Sequence, residues 1–172
     1  PEGATARRLE LAWRKGDREV RRAALELLAA VPEAAQGQEL SLGRLLTATE
    51  EPRLLTHALE VVASLRAAWA EPAVRAALEH REMAVKKAAA EALAELASDR
   101  SIPALLRWLT VHDNEGFRAP LTRALERAAG PSLIAIVVDK LEPLSDEPRA
   151  RQLLHRVLHQ RLPLAAVLKL AR

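Results

Sequence analysis

The chain has 172 residues, 49% hydrophobic and 28% charged, a balance that excludes a disordered polymer. It has no cysteine, which rules out disulfide staples and thiolate metal sites, and its aromatic share of 2% leaves Leu, Ala and Val to fill the core. The net charge of +3 divides into two basic ends around an acidic middle: residues 148–172 carry six basic side chains and no acid, while residues 23–147 carry 13 basic and 19 acidic ones. No run of 18 apolar residues exists and no signal peptide is visible, so neither a membrane span nor export is expected, and a cytoplasmic location is.

In chain order, residues 4–15 read as a helix with Leu9 and Trp13 turned inward. Asp17 is then placed to cap a helix over 18–31, and an irregular Gln- and Gly-containing link over 32–43 leads to a short helix over 41–48. Helices are predicted over 52–69, with Trp69 inward, and over 72–80, 83–97, 102–111 and 116–129. Three more are predicted over 131–141, 147–160 and 163–171. Pro52 and Pro148 fall in first turns, where a missing N–H costs nothing, and Pro72, Pro103, Pro131 and Pro163 mark the other starts. Ser101 is the expected cap of the 102–111 helix, whose inward stripe is Ile102, Leu105, Leu106 and Leu109.

Alternate helices carry one recurring pattern of apolar and small residues. It reads Val20, Ala23, Ala24, Leu27, Leu28; then Leu54, His57, Ala58, Val61, Val62; then Val85, Ala88, Ala89, Ala92, Leu93. It returns as Phe117, Pro120, Leu121, Ala124, Leu125 and as Ala150, Leu153, Leu154, Val157, Leu158. From Leu28 through Val62, Leu93 and Leu125 to Leu158 the steps are 34, 31, 32 and 33 residues, the period of a solenoid of stacked helix pairs. We denote the helices that bear the pattern A and those that follow them B. The repeats then span about 17–50, 51–81, 82–113, 114–145 and 146–172 of one domain, with 1–16 an orphan B helix. Pro1 in place of an initiator Met, the leading half-pair and the end without a polar cap are read as the marks of a segment of a longer protein.

The stretch Val85-Lys-Lys-Ala-Ala-Ala-Glu-Ala-Leu-Ala-Glu-Leu, followed by Ser98-Asp-Arg-Ser-Ile-Pro-Ala-Leu-Leu-Arg-Trp-Leu, resembles a bacterial HEAT repeat and is similar to the HEAT-like repeats of phycobilin lyases. The resemblance is best over 72–129. It implies an all-α, right-handed superhelix of about five antiparallel helix pairs plus the leading half-pair, with A helices outside and B helices lining a concave face.

Chemistry-bearing residues are few. His155 and His159, four apart, have metal-ligand spacing, but no acid follows Glu147 to complete a site, and they read as a solvated face. Glu79-His80 reverses the order found in HEAT-type di-iron hydroxylases, and the other repeats supply no matching pair. A glycosylase-like cleft would use Arg107, Trp108 and Asp113, which the acidic middle disfavours. Asp113, Asn114 and Glu115 have calcium-type chemistry without the spacing of a calcium loop, so helix capping is the commoner explanation. No glycine-rich phosphate loop and no nucleophile, base and orienting set is present; neither catalysis, a cofactor nor a metal is expected.

The function expected is that of a protein–protein interaction scaffold. Arg75, Glu79, Arg107, Trp108, Asp139 and Lys140 are predicted to line the B-helix face, an exposed Trp beside Arg being a frequent hot spot. Arg149, Arg151 and Arg156 are candidate contacts to phosphate or to an acidic partner, which keeps nucleic-acid binding at the basic ends as the alternative.

Overall fold

A computed structural model describes residues 2–48, 51–112, 114–128 and Pro148. Among the described residues every regular element is helical. The α-helices are α1 (Glu2–Lys15), α2 (Arg18–Ala30), α3 (Glu39–Ala48), α4 (Pro52–Ser64), α5 (Glu71–Ala76), α6 (Met83–Leu96), α7 (Ile102–Val111) and α8 (Glu115–Ala128). Short 3-10 turns over Pro32–Ala35, Ala68–Ala70, Ala77–Glu79 and Asp99–Ser101 join or extend them. The repeat copy headed by Ala150, the helices predicted over 131–141, 147–160 and 163–171, and the His155/His159 pair lie outside the described residues.

Local chemistry sets the helix ends. Asp17 accepts a hydrogen bond from the Val20 N–H at 3.0 Å and caps α2, while Asn114 accepts from the Phe117 N–H at 3.1 Å and does the same for α8. Pro52, Pro72 and Pro103 occupy first turns. Ala97 adopts the left-handed region at φ 50° and returns its N–H to the Leu93 carbonyl at 2.9 Å, closing α6. Arg66, 31 residues earlier at the same place in its repeat, has φ 47° and ends the helix predicted over 52–69 at Ser64. Gly16 permits the two-residue turn between α1 and α2: a Cβ there would lie 2.3 Å from the Ala12 carbonyl oxygen and 2.6 Å from Val20 Cγ1.

The A helices α2, α4, α6 and α8 pack in one row, each against the next. Small residues make the approach close: Ala88, Ala89, Ala90, Ala92 and Ala94 of α6 are all buried, and Ala58 and Ala124 lie in the same layer. Larger side chains, among them Leu28, Leu59, Val62, Leu93, Phe117, Leu121 and Leu125, are buried with them and complete the core. Each B helix packs on the A helix that follows it, α1 on α2, α3 on α4, α5 on α6 and α7 on α8. The α1 helix, which has no preceding A helix in the sequence, is thereby seated, with Leu9 and Trp13 in the core. Buried Gln38 at the start of α3 accepts the Trp13 indole N–H at 3.0 Å and ties the irregular first link to α1.

One predicted core residue is corrected, and one pattern-bearing helix is only partly covered. Trp69 is on a 3-10 turn rather than on α4 and is exposed, its ring edge resting near Gly43 of α3. In α2 the buried residues are Ala24, Leu25 and Leu28, whereas Val20 and Leu27 of the repeat pattern are exposed. Leu93 is enclosed in the third helix of the row, and Leu93→Ala should lower the unfolding free energy by about 2–5 kcal/mol in urea titration.

Candidate protein-docking site

B-helix C-termini and A-helix N-termini meet along one edge of the stack, and four predicted or newly seen side chains converge there. Glu79 leaves the 3-10 turn that extends α5, and Arg107 and Trp108 leave the last turns of α7. One oxygen of Glu79 accepts both a guanidinium N–H of Arg107 and the Trp108 indole N–H, the latter at 3.2 Å. The indole therefore stands half-buried with its polar atom satisfied and its orientation fixed. On one side it meets His112 and Phe117, with ring centroids 5.6 and 6.0 Å away. Lys86 Nζ of α6 rests 3.6 Å from its centroid and Arg107 Cζ 5.4 Å away, so two cations attend one ring.

Lys86 is the residue that the sequence reading missed. It is buried, and among the described residues no carboxylate pairs with it, so its charge leans on the Trp108 face. Burial pushes its amine below the ordinary lysine value of 10.5. A periodic signal for it does exist. In sequence, the place immediately after the first pattern residue is basic in four of the five copies, as Arg21, Lys86, Arg118 and Arg151, and is Leu55 in the other. Arg118 shows one use of that place: it is buried and donates to the carbonyls of Leu109 (2.7 Å) and His112 (2.9 Å), capping the C-terminus of α7 from α8.

Arg75 is not part of this cluster. It turns toward the opposite edge, donating to Glu71 at 3.0 Å and to the Arg100 carbonyl at 3.2 Å. Buried Glu71 also accepts from Ser101 Oγ at 2.5 Å. Ser101 thus links two repeats through its side chain and makes no cap bond to α7. Glu79-His80 is likewise engaged locally, with His80 Nδ1 accepting the Glu82 N–H at 3.0 Å. Asp113, Asp139, Lys140, Arg149, Arg151 and Arg156 lie outside the described residues.

A row of helices related by a period near 32 residues, with B helices seated between them, defines a repeat protein, and residues 39–126, half of the chain, match the family model of HEAT repeats. The chain belongs to the HEAT-repeat family. None of the curated proteins matches it. Among solved structures, this HEAT-repeat chain is similar to an engineered protein, with a TM-score of 0.64 and 22% identity over 98% of this chain and 81% of that one. It is also similar to the complex of CpcE and CpcF of phycocyanin lyase from Nostoc sp. PCC7120, with a TM-score of 0.63 and 20% identity over 88% of this chain and 64% of that one. A second engineered protein gives 0.60 and 25% over 98% and 46%. The chain thus spans less than two thirds of the lyase chain and less than half of the second engineered one. What the likeness to the lyase and to the first engineered protein shows is the fold.

The buried Lys86 gives the HEAT stack a pH signature. The unfolded chain keeps this proton up to about 10.5, the folded chain releases it at lower pH, and between those values unfolding takes up a proton. Stability contributed at this position therefore rises with pH inside that window. Comparing wild type with Lys86→Met in urea titrations at successive pH values, the wild type should gain on the variant as pH climbs toward 10.5.

Proposed function

We propose that this chain is a non-catalytic scaffold that docks a peptide or protein partner on its B-helix face, with Trp108 as the anchor at one edge of that face. The observation that carries this reading is the arrangement at Trp108: a large ring, half-buried, held in orientation by Glu79 and flanked by Lys86 and Arg107. A rigid amphipathic ring loses little conformational entropy on binding, and Trp and Arg are the residues that most often dominate interface energies. The nearby cations favour a partner segment that brings an acidic side chain with an apolar one. Membership of the HEAT-repeat family supports a binding role in general terms, and a fold of this kind is found with a second chain in the CpcE–CpcF complex. Arg75 on the other edge, with Asp139 and Lys140 of the later B region, would extend the contact along the stack.

Nucleic-acid binding is the second reading. It rests on the six basic residues and no acid between 148 and 172, Arg149, Arg151 and Arg156 among them.

Selection of a phage-displayed random peptide library on the wild-type chain separates the two. Acidic–apolar peptides are expected, and Trp108→Ala should weaken them by about tenfold or more. Peptide affinities indifferent to Trp108 would contradict the docking reading. Oligonucleotide binding that falls steeply with salt and is lost in the Arg149→Glu, Arg151→Glu and Arg156→Glu variants would favour the second.

A further inference from the structure

Helix α2 bears a stripe of apolar side chains that nothing among the described residues covers. Val20, Leu27 and Val31 are 44%, 40% and 41% exposed, and Ala23 and Ala30 between them are exposed too. Spacings of three and four residues put all five on one side of the helix. The other side is core, with Leu25 and Leu28 fully buried.

The repeat register shows what this side of an A helix is for. Val20 corresponds to Leu54, Val85 and Phe117, which are 5%, 0% and 0% exposed. Leu27 corresponds to Val61, Ala92 and Ala124, at 1%, 1% and 0%. The place of Ala23 is taken by half-buried His57 and by buried Ala88 and Pro120. For Val20 and Leu27, position, side of the helix and apolar character agree across the four copies, and exposure alone differs. So does the neighbour: α4, α6 and α8 each have a preceding A helix packed alongside, and α2 has none among the described residues.

We propose that this stripe is the docking face for the A helix of a further helical repeat, lying parallel to α2 and continuing the row α2, α4, α6, α8. The established interfaces state the chemistry of that partner. The side of α6 opposite Val85 and Ala92 carries Ala90 and Ala94, small, four residues apart and both buried. The same two places hold Leu59 and Ala63 in α4 and Leu25 and Ala29 in α2, so the incoming helix presents an apolar residue followed one turn later by an alanine. It also carries a basic residue in its first turn. Glu51, three residues before Leu54, holds Arg18 of the preceding A helix at 2.6 Å, and Asp17 stands at the same place, three residues before Val20. The stripe belongs to the first repeat and is a surface separate from the Trp108 edge, so the two proposals stand or fall apart.

A second copy of α2 itself meets these requirements, since it carries Leu25 and Ala29 at those two places and already supplies Arg18 to Glu51. Fusing a copy of residues 17–38 ahead of Pro1 gives α1 a preceding A helix. The extended chain should show a higher urea midpoint than the wild type, with added helical circular dichroism. Leu27→Glu in the original α2 should abolish that gain, while moving the midpoint of the unextended chain little, because Leu27 is exposed there. An extension that adds neither helix nor stability, or a gain that survives Leu27→Glu, would overturn the proposal. Sedimentation velocity of the unextended chain supplies the remaining arm. A monomer is expected, and a dimer that Leu27→Glu dissociates would give the face to a second copy of this chain and overturn the assigned occupant.

Discussion

Close packing of the A helices is the constraint from which the remaining structure follows. An alanine side chain buries little surface by itself, but a layer of them brings helix backbones near enough for many weak contacts to add up. Helix α6 takes this furthest, with Ala88, Ala89, Ala90, Ala92 and Ala94 all buried and a neighbour in the row on either side. No unit could fold alone on such terms. The α5 helix has six residues, too few for a helix to persist in water without the surfaces that α6 and its 3-10 extension provide.

With stacking assigned to the A row, the B helices are free to carry specific contacts at the two edges of the stack. At one edge, Glu71, Ser101 and Arg75 tie consecutive repeats through a buried carboxylate. At the other, Glu79 orients Trp108 and Arg107, Lys86 underlies the indole, and Arg118 secures the end of α7. A polar group inside a repeat stack holds register only when its partners come from the next repeat, and these pairs span 25 to 30 residues of sequence. The arrangement leaves a fixed aromatic surface at the edge without needing any loop to order on binding.

Much of this was legible in the sequence because it is periodic. The pattern through Leu28, Val62, Leu93 and Leu125 located the row, Asp17 marked a helix start, and the helix over 102–111 lies where proline and its apolar stripe place it. The cluster of Glu79, Arg107 and Trp108 was within reach because Trp108 falls off that stripe. What escaped has physical causes. Periodicity identifies an apolar side of a helix without saying whether a neighbour is there to cover it, so it gives no sign that Val20 and Leu27 are exposed. An alanine or arginine in the left-handed region leaves no mark like that of glycine, so the turn at Arg66 and the consequent exposure of Trp69 went unseen. Ser101 before a proline has the appearance of a cap, and only the neighbouring repeat brings Glu71 to it. Lys86 was not singled out, although its place in the repeat is shared with buried Arg118.

The A row is packed too closely to admit a larger side chain. Urea unfolding of Ala92→Leu tests it directly, because Ala92 is fully enclosed on a helix packed against two neighbours in the row. The account predicts a cooperative transition at a lower midpoint, with a loss of about 1–3 kcal/mol from overpacking. An unchanged or raised midpoint would mean that the helices leave room for a leucine, and would contradict it.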